Sequence, residues 1–239
     1  PLGGVMFAIE ELSKKTDQRS NSLVLVAIVV AGLMGVSAYG NASYFGIIRV
    51  EGFGSALIFP AILVAICCGV AGGLFSRLLI VSLAGSSSDW FSKIRRNFPI
   101  FFAAGCGLAV AILGVVSNGE TYGSGYAHNR AMLENTNDTS SMYVLLKFVA
   151  TWLSTWAGVP AGVFAPSLAI GGALGNDVAQ LTSYDNAPTL IALGMAGFLA
   201  AVTQAPLTAF IIVMEMVDGH ALVLSLMASA MVASGVSRL

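Results

Sequence analysis

The 239-residue chain is 56% hydrophobic and only 10% charged, and its mean hydropathy is +0.84. Soluble domains carry about 25% charged residues, so these values exclude a soluble domain of this length and indicate an integral membrane protein. The formal net charge of -1, without a run of Lys and Arg interleaved with aromatic residues, gives no support for a nucleic-acid partner.

The first third of the chain predicts one short helix and two membrane crossings. Residues 1–9 predict a short helix that reaches one membrane face, and a basic-leaning polar link follows it. Residues 23–48 predict a spanning segment, and residues 55–84 are long enough to cross at a tilt. Two crossings return the chain to its starting side, where residues 85–97 are again basic. The positive-inside rule therefore predicts that both links are cytoplasmic.

The rest of the chain predicts one further crossing and then several interrupted segments. Residues 98–116 predict the crossing, and the acidic link that follows is expected outside, with a re-entrant turn possible at its glycine-rich residues 121–126. Residues 142–156 are apolar but short for a span. Further apolar segments, three of them short, complete the chain: residues 167–174, 187–202, 207–217 and 221–236. Short segments interrupted by Gly and Pro indicate a transporter or channel with discontinuous helices.

The stretch from Gly158 to Asn176 is apolar but cannot form one plain helix. Pro160 and Pro166 each remove a backbone donor and disfavour helix in the preceding residue. A broken backbone persists in hydrocarbon only where it lines a cavity, and Pro166 suits the first turn of a new helix. Free N–H groups at such a helix start attract anions. Since no Lys or Arg lies in this stretch, we expect backbone amides alone to hold the ligand, the alternative being a kinked helix packed against its neighbours.

Two segments of the chain resemble each other and predict an internal repeat. Residues 1–10 and 206–215 both begin with Pro-Leu and both place a glutamate at the tenth position, Glu10 and Glu215. Inverted repeats are common in transporters, where the site lies between half-helix ends near the membrane midplane. We expect Glu10 and Glu215 to cap or brace helices.

Three motifs together resemble one known family. Gly162-Val163-Phe164-Ala165-Pro166 fits a Gly-x-Phe-x-Pro motif, residues 1–11 fit the helix that follows a Gly-Lys/Arg-Glu-Gly-Pro motif, and residues 204–208 with 215–218 fit a penultimate helical region. In this order they resemble the CLC family of chloride channels and proton-coupled chloride transporters. The resemblance implies an all-α integral membrane fold with inverted repeats and with discontinuous and re-entrant helices. Residues 1–84 would end the first repeat, residues 85–97 form the cytoplasmic link, and residues 98–239 form a truncated second repeat.

The resemblance also implies a function and its residues. The anion would lie at Gly162–Pro166, on the amides of Val163 and Phe164. A glutamate at the position of Glu11 takes up cytoplasmic protons in the family's transporters, whereas many of its channels have an uncharged residue there. Glu11 therefore favours proton-coupled chloride exchange over a passive chloride channel, although a glutamate at a helix end is ordinarily a solvated cap.

The resemblance further implies a homodimer in a lipid bilayer, and we expect the inner membrane of a bacterium. The chain opens on an apolar segment without a starting Met, so we expect it to be a piece of a longer protein. The family's first anion motif with its serine, its gating glutamate and its last-helix tyrosine are then expected outside this piece.

Other functions have less support in the sequence. No GxSxG or HExxH motif indicates an intramembrane enzyme, and a purely structural scaffold would not need broken helices. No metal is expected, no cofactor besides transported chloride, and His128 and His220 are expected on the surface. The three cysteines lie in apolar runs and are expected as small buried hydrophobes. Lys147 would draw anions electrostatically or, as the favoured reading, snorkel from a helix end.

Overall fold

The computed structural model describes residues 2–12, 18–40, 44–45, 55–84, 90–134, 142–217 and 220–239, and all regular structure within these ranges is helical. Within these ranges there are eleven α-helices, in order: α1 Leu2–Phe7, α2 Gln18–Tyr39, α3 Ile58–Ala84, α4 Trp90–Asn97, α5 Pro99–Val116, α6 Tyr126–Leu133, α7 Met142–Trp156, α8 Phe164–Thr182, α9 Ala187–Thr203, α10 Pro206–Met216 and α11 Val223–Val236. A π-helical turn, Ala8–Leu12, continues α1, and single 3₁₀ turns, Ser55–Leu57 and His220–Leu222, precede α3 and α11.

Most predicted segments are confirmed as helices. Among the described residues, α3 and α5 are long and apolar enough to cross a membrane. The predicted span over residues 23–48 differs, because α2 ends at Tyr39 and residues 46–48 lie outside the described residues. Residues 85–89 of the basic link also lie outside them, so the cytoplasmic side of that link stays a prediction.

The core is built around α9, in which residues 189–201 are all buried. This helix packs against α8, α11, α3 and α10. Backbones of α8 and α9 come so close that a Cβ on Gly171 would overlap the carbonyl oxygen of Gly194, and one on Gly175 would overlap that of Leu190. Such contacts between small residues drive helix association in membranes. The middle of α8 is therefore fixed, and its first turn is held in a defined place.

Helix α8 is longer than predicted. The sequence predicts an apolar helical piece over residues 167–174, but α8 runs from Phe164 to Thr182. Ser183, the residue after the helix, has a left-handed φ of +49°. Its glycines are tolerated because they make the close contacts with α9, and no proline follows Pro166 within the helix. The predicted piece over residues 167–174 is therefore too short at both ends.

Helices α1 and α10 cap each other. Glu215, near the end of α10, accepts hydrogen bonds from the N–H groups of Leu2 and Gly3 at 2.9 and 2.8 Å. Glu10, in the π-helical turn after α1, accepts from the N–H groups of Leu207 and Thr208 at 3.2 and 2.6 Å. The prediction that Glu10 and Glu215 cap helices is confirmed. This reciprocity requires the two segments to lie antiparallel, which is the relation expected of an inverted repeat.

Candidate anion site

The predicted helix break lies between α7 and α8. Helix α7 ends at Trp156, α8 begins at Phe164, and the seven residues between them form no regular structure. Gly158 has φ +81°, a left-handed conformation that glycine adopts without a steric penalty. Pro166 occupies the first turn of α8, as predicted. The alternative of a merely kinked helix is therefore excluded by the backbone itself.

The first turn of α8 has no cap. Its first helical bond runs from the N–H of Ser167 to the carbonyl of Val163 at 3.0 Å, and no side chain caps Val163. Within the described part of the chain, the N–H groups of Val163, Phe164 and Ala165 meet no acceptor. Unpaired amides at a helix start carry its positive dipole end, and this is a ready site for an anion.

A cavity of about 240 Å³ lies beside this uncapped turn. One wall comes from the break and the start of α8, through Ala161, Gly162 and Pro166. Residues of α7 and of the glycine-rich turn before α6 also line the cavity. The remaining lining residues are Val110, Thr121, Tyr122, Gly123, Lys147, Ala150, Thr151, Ser154 and Thr155. The volume is ample for a small anion that keeps several waters.

Lys147 lies on this cavity and is 2% exposed. Its Nζ donates hydrogen bonds to the carbonyl oxygens of Thr121 and Gly123, at 2.8 Å each. The favoured prediction, a side chain that snorkels to the membrane surface, is therefore wrong, because carbonyl groups of the neighbouring turn replace water around the ammonium. The stretch from Gly158 to Asn176 contains no cation, yet the fold places one on the same cavity. The expectation that backbone amides alone hold the ligand stays a prediction.

The glycine-rich turn that holds Lys147 packs among the helices. Gly119, Gly123 and Gly125 all have positive φ. The ring of Tyr122 lies against Gly114 of α5, and the side chain of Thr121 is 6% exposed. Tight turns with left-handed residues bring carbonyl oxygens to one side of this segment, where Lys147 meets two of them.

Glu11 lies on an element that contacts the start of α8. Its backbone belongs to the π-helical turn after α1, and its side chain lies outside the described residues. One helical turn earlier, the ring of Phe7 packs edge-on against Phe164, with ring centroids 5.8 Å apart. The structure thus brings the element that carries Glu11 next to the first residue of α8. The proton-uptake role of Glu11 stays a prediction.

Arg95 is a second cation that the sequence did not point to. Its guanidinium donates from Nη1 to the carbonyl oxygen of Ser82 at 2.6 Å, and Nη2 is 3.5 Å from the place where a Cβ on Gly158 would stand. Arg95 therefore lies where the chain leaves α7 and enters the break. The sequence around Arg95 is basic, so no sequence feature distinguishes this arginine from its neighbours. In contrast, Lys147 is a lone charge in an apolar helix, and such a residue indicates a functional site.

The histidine and cysteine side chains that the structure describes are not part of this site. His128 is 8% exposed and stacks on Tyr143 with ring centroids 3.8 Å apart, so its predicted surface position is wrong. Burial lowers the pKa of His128, which keeps the ring neutral at pH 7. The side chain of His220 lies outside the described residues. Cys68 and Cys106 are buried and Cys67 is half-buried, and none of the three forms a disulfide. Within the described ranges, no cluster of three or more His, Cys, Asp or Glu forms a metal site.

Comparison with known proteins agrees with these observations. A sequence model of the family described as "Voltage gated chloride channel" matches residues 1–238. The H(+)/Cl(-) exchange transporter ClcA of Citrobacter koseri is 25% identical over 242 residues, covering 94% of this chain and 49% of that protein. ClcA of Cronobacter sakazakii is 24% identical over 238 residues, covering 94% and 50%. The chain thus spans about half the length of these curated relatives.

Two solved structures share the fold. A CLC-type fluoride/proton antiporter superposes with a TM-score of 0.81 at 21% identity, covering all of this chain and 58% of that one. A slow cyanobacterial Cl-/H+ antiporter superposes with a TM-score of 0.60 at 22% identity, covering 78% and 47%. These likenesses confirm the predicted all-α fold with discontinuous helices.

Proposed function

The chain belongs to the voltage-gated chloride channel family, and from that membership we propose that it forms part of a membrane protein that exchanges chloride for protons. The relatives named as H(+)/Cl(-) exchange transporters support exchange over passive conduction. The family is one of ion transport proteins, so we propose no enzymatic reaction. The transported ion is the ligand, and the proposal needs no cofactor.

The anion lies, in this proposal, at residues Gly162–Pro166. The observation that carries it is the uncapped first turn of α8, where the N–H groups of Val163, Phe164 and Ala165 lack acceptors in the described part of the chain. Partial charges on amides hold an anion without the tight grip of an ion pair. A transported ion must bind and also leave, so such a site suits transport.

Glu11 supplies the proton route in this proposal. A carboxyl group at the rim of a membrane protein loses part of its hydration, which favours the protonated form and allows proton exchange near neutral pH. The contact between Phe7 and Phe164 supports the assignment, because Phe7 lies one helical turn before Glu11 and its ring packs against the first residue of α8.

The substitution Glu11→Gln tests this assignment in the full-length protein. We expect chloride-driven proton movement into reconstituted vesicles to be abolished while chloride flux survives, because Gln cannot carry a proton at this position. Glu10→Gln is the matched control, since Glu10 caps the start of α10 and its substitution should leave proton coupling intact. Proton movement that is unchanged in Glu11→Gln would overturn the role of Glu11.

A passive chloride channel is the alternative within the family. It predicts a reversal potential that follows the chloride gradient alone, whereas exchange predicts one that also shifts with the proton gradient. Measuring this potential in full-length wild-type protein decides between the two.

We also propose a homodimer in the inner membrane of a bacterium. The bacterial relatives and the lipid-compatible exterior of α2 support this placement, since the side chains of Leu23, Leu33 and Met34 are each more than 60% exposed. Such a surface needs lipid or a second copy to cover it.

A further inference from the structure

Lys147 is a buried cation on the cavity that adjoins the proposed anion site. Its side chain is 2% exposed, and it lines the same cavity as Gly162 and Pro166. Burying a charge is costly unless other groups compensate it. The question is therefore what the protein gains from a cation at this place.

The protein compensates the positive charge of Lys147 only in part. Its Nζ donates to the carbonyl oxygens of Thr121 and Gly123, which employ two of its three N–H groups. In the described part of the chain, it forms no salt bridge with a carboxylate. Two carbonyl dipoles stabilise the ammonium but leave its net charge in place.

The hydroxyl groups of α7 on the cavity do not donate protons to an anion. Three hydroxyl groups on α7 line the cavity, but each donates its proton to the carbonyl four residues earlier: Thr151 to Lys147 at 2.8 Å, Ser154 to Ala150 at 2.8 Å and Thr155 to Thr151 at 3.0 Å. These hydroxyl oxygens therefore present lone pairs to the cavity. Among the lining residues, Lys147 alone carries a charge.

We propose that Lys147 sets how tightly the cavity holds an anion, by supplying the net positive charge that offsets the hydroxyl lone pairs of α7. The proposal rests on the proposed function, and it adds a cation to a site otherwise built from backbone amides. An ammonium that is fixed by Thr121 and Gly123 does not move to meet the ion, so its field is already in place when the ion arrives. Lys147 acts on the ion through this field, with its third N–H group free to contact the ion or its water.

The first test removes or keeps the charge. In the full-length protein, we expect Lys147→Met to weaken chloride binding by ~10-fold or more, measured by isothermal titration calorimetry. The substitution removes the attraction between the ammonium and the ion, which is strong in a cavity of low dielectric. Lys147→Arg keeps the charge and should keep most of the affinity. The matched control is Arg130→Met, because Arg130 is an exposed cation that pairs with Glu134 outside the cavity. It should leave chloride binding unchanged.

The second test neutralises the charge without removing Lys147. Residues at positions i and i+4 of a helix face each other, so the carboxylate in Thr151→Asp would pair with the Lys147 ammonium. We expect Thr151→Asp to lose at least as much affinity as Lys147→Met, and to bind chloride more weakly than Thr151→Asn, which has nearly the same shape but no charge. This pair also serves if Lys147→Met fails to fold.

The outcomes separate the two proposals. Wild-type protein that binds no chloride overturns the proposed function. Wild-type binding with equal affinities in Lys147→Met and Lys147→Arg overturns the role of Lys147 and leaves the proposed function standing; where Lys147→Met does not fold, equal affinities in Thr151→Asp and Thr151→Asn do so. Loss of affinity in Lys147→Met that is absent in Lys147→Arg supports the role, because it follows the charge of the side chain.

Discussion

Three helix starts in this chain have the same backbone chemistry but different partners. The first turns of α1 and α10, which we call the capped ends, have their N–H groups bound by the carboxylates of Glu215 and Glu10. The first turn of α8, which we call the uncapped end, has no such acceptor among the described residues. A helix dipole is therefore common to all three and does not by itself make a site. The absence of an internal acceptor distinguishes the end that is able to bind an external anion.

The two kinds of end also differ in where they lie. The capped ends face each other across two antiparallel segments, so each glutamate neutralises the partner's helix start and joins the two segments. The uncapped end follows a break and lies beside a cavity that Lys147 also lines. Carboxylates at the first kind of end join two parts of the fold, and we propose that the second kind binds a transported ion.

The largest expected effect comes from capping the uncapped end. In Val163→Asp, the new carboxylate lies at the N-cap of α8 and is a tethered competitor for its amides. We expect chloride flux in reconstituted full-length protein to fall by roughly two orders of magnitude, since a tethered ligand has an effective concentration in the millimolar range or above. Thermal stability should hold or rise.

Val163→Asn is the matched control for this prediction. Its amide oxygen is also able to cap the helix, but it carries no charge and does not repel the ion. We expect a smaller loss of flux than in Val163→Asp. Wild-type flux in Val163→Asp would show that the start of α8 is not on the anion path.

A smaller effect is expected from uncapping a capped end. Glu215→Ala frees the amides of Leu2 and Gly3, and Glu10→Ala frees those of Leu207 and Thr208. We expect each to lower the free energy of unfolding by about 1–2 kcal/mol, as lost helix caps do. Thermal denaturation of the two variants measures this, and chloride affinity should stay unchanged.

Two outcomes with these variants would contradict the distinction between the capped ends and the uncapped end. Chloride that raised the melting temperature of Glu215→Ala more than that of wild type would show that a freed end becomes an anion site. A loss of chloride affinity in both variants would contradict the separation of structural ends from the ligand-binding end.

The smallest effect is expected at Ser167. Its hydroxyl donates to the carbonyl oxygen of Val163 at 2.6 Å, beside the backbone bond that starts α8. Ser167→Ala removes this second bond but leaves the amides of Val163 and Phe164 in place. We expect a loss of about 1 kcal/mol or less in stability and a change in chloride affinity within about twofold. A larger loss of affinity would mean that the hydroxyl itself is required to shape the uncapped end.

The sequence predicted the features that depend on local backbone chemistry. Pro160 and Pro166 located the break and the first turn of α8, and the matched positions of Glu10 and Glu215 predicted caps. These features are predictable because proline and the unpaired groups at helix ends constrain the backbone locally, whatever the rest of the fold.

Features that depend on distant contacts were not predictable in this way. Lys147 is solvated by carbonyl groups 24 and 26 residues away in the chain, and its local surroundings suggest only a snorkelling side chain. His128 is buried because α6 packs against α8, and the length of α8 depends on its glycine contacts with α9. Tertiary packing decides each of these features, and a single sequence does not show which distant residues come into contact.

The most direct test of the uncapped end as the anion site is the position of a heavy halide in a crystal of the full-length protein. Bromide replaces chloride chemically and gives an anomalous signal. The account predicts an anomalous peak within hydrogen-bonding distance of the N–H groups of Val163 and Phe164, and none at the capped starts of α1 and α10. Bromide that binds elsewhere and leaves the start of α8 empty would contradict it.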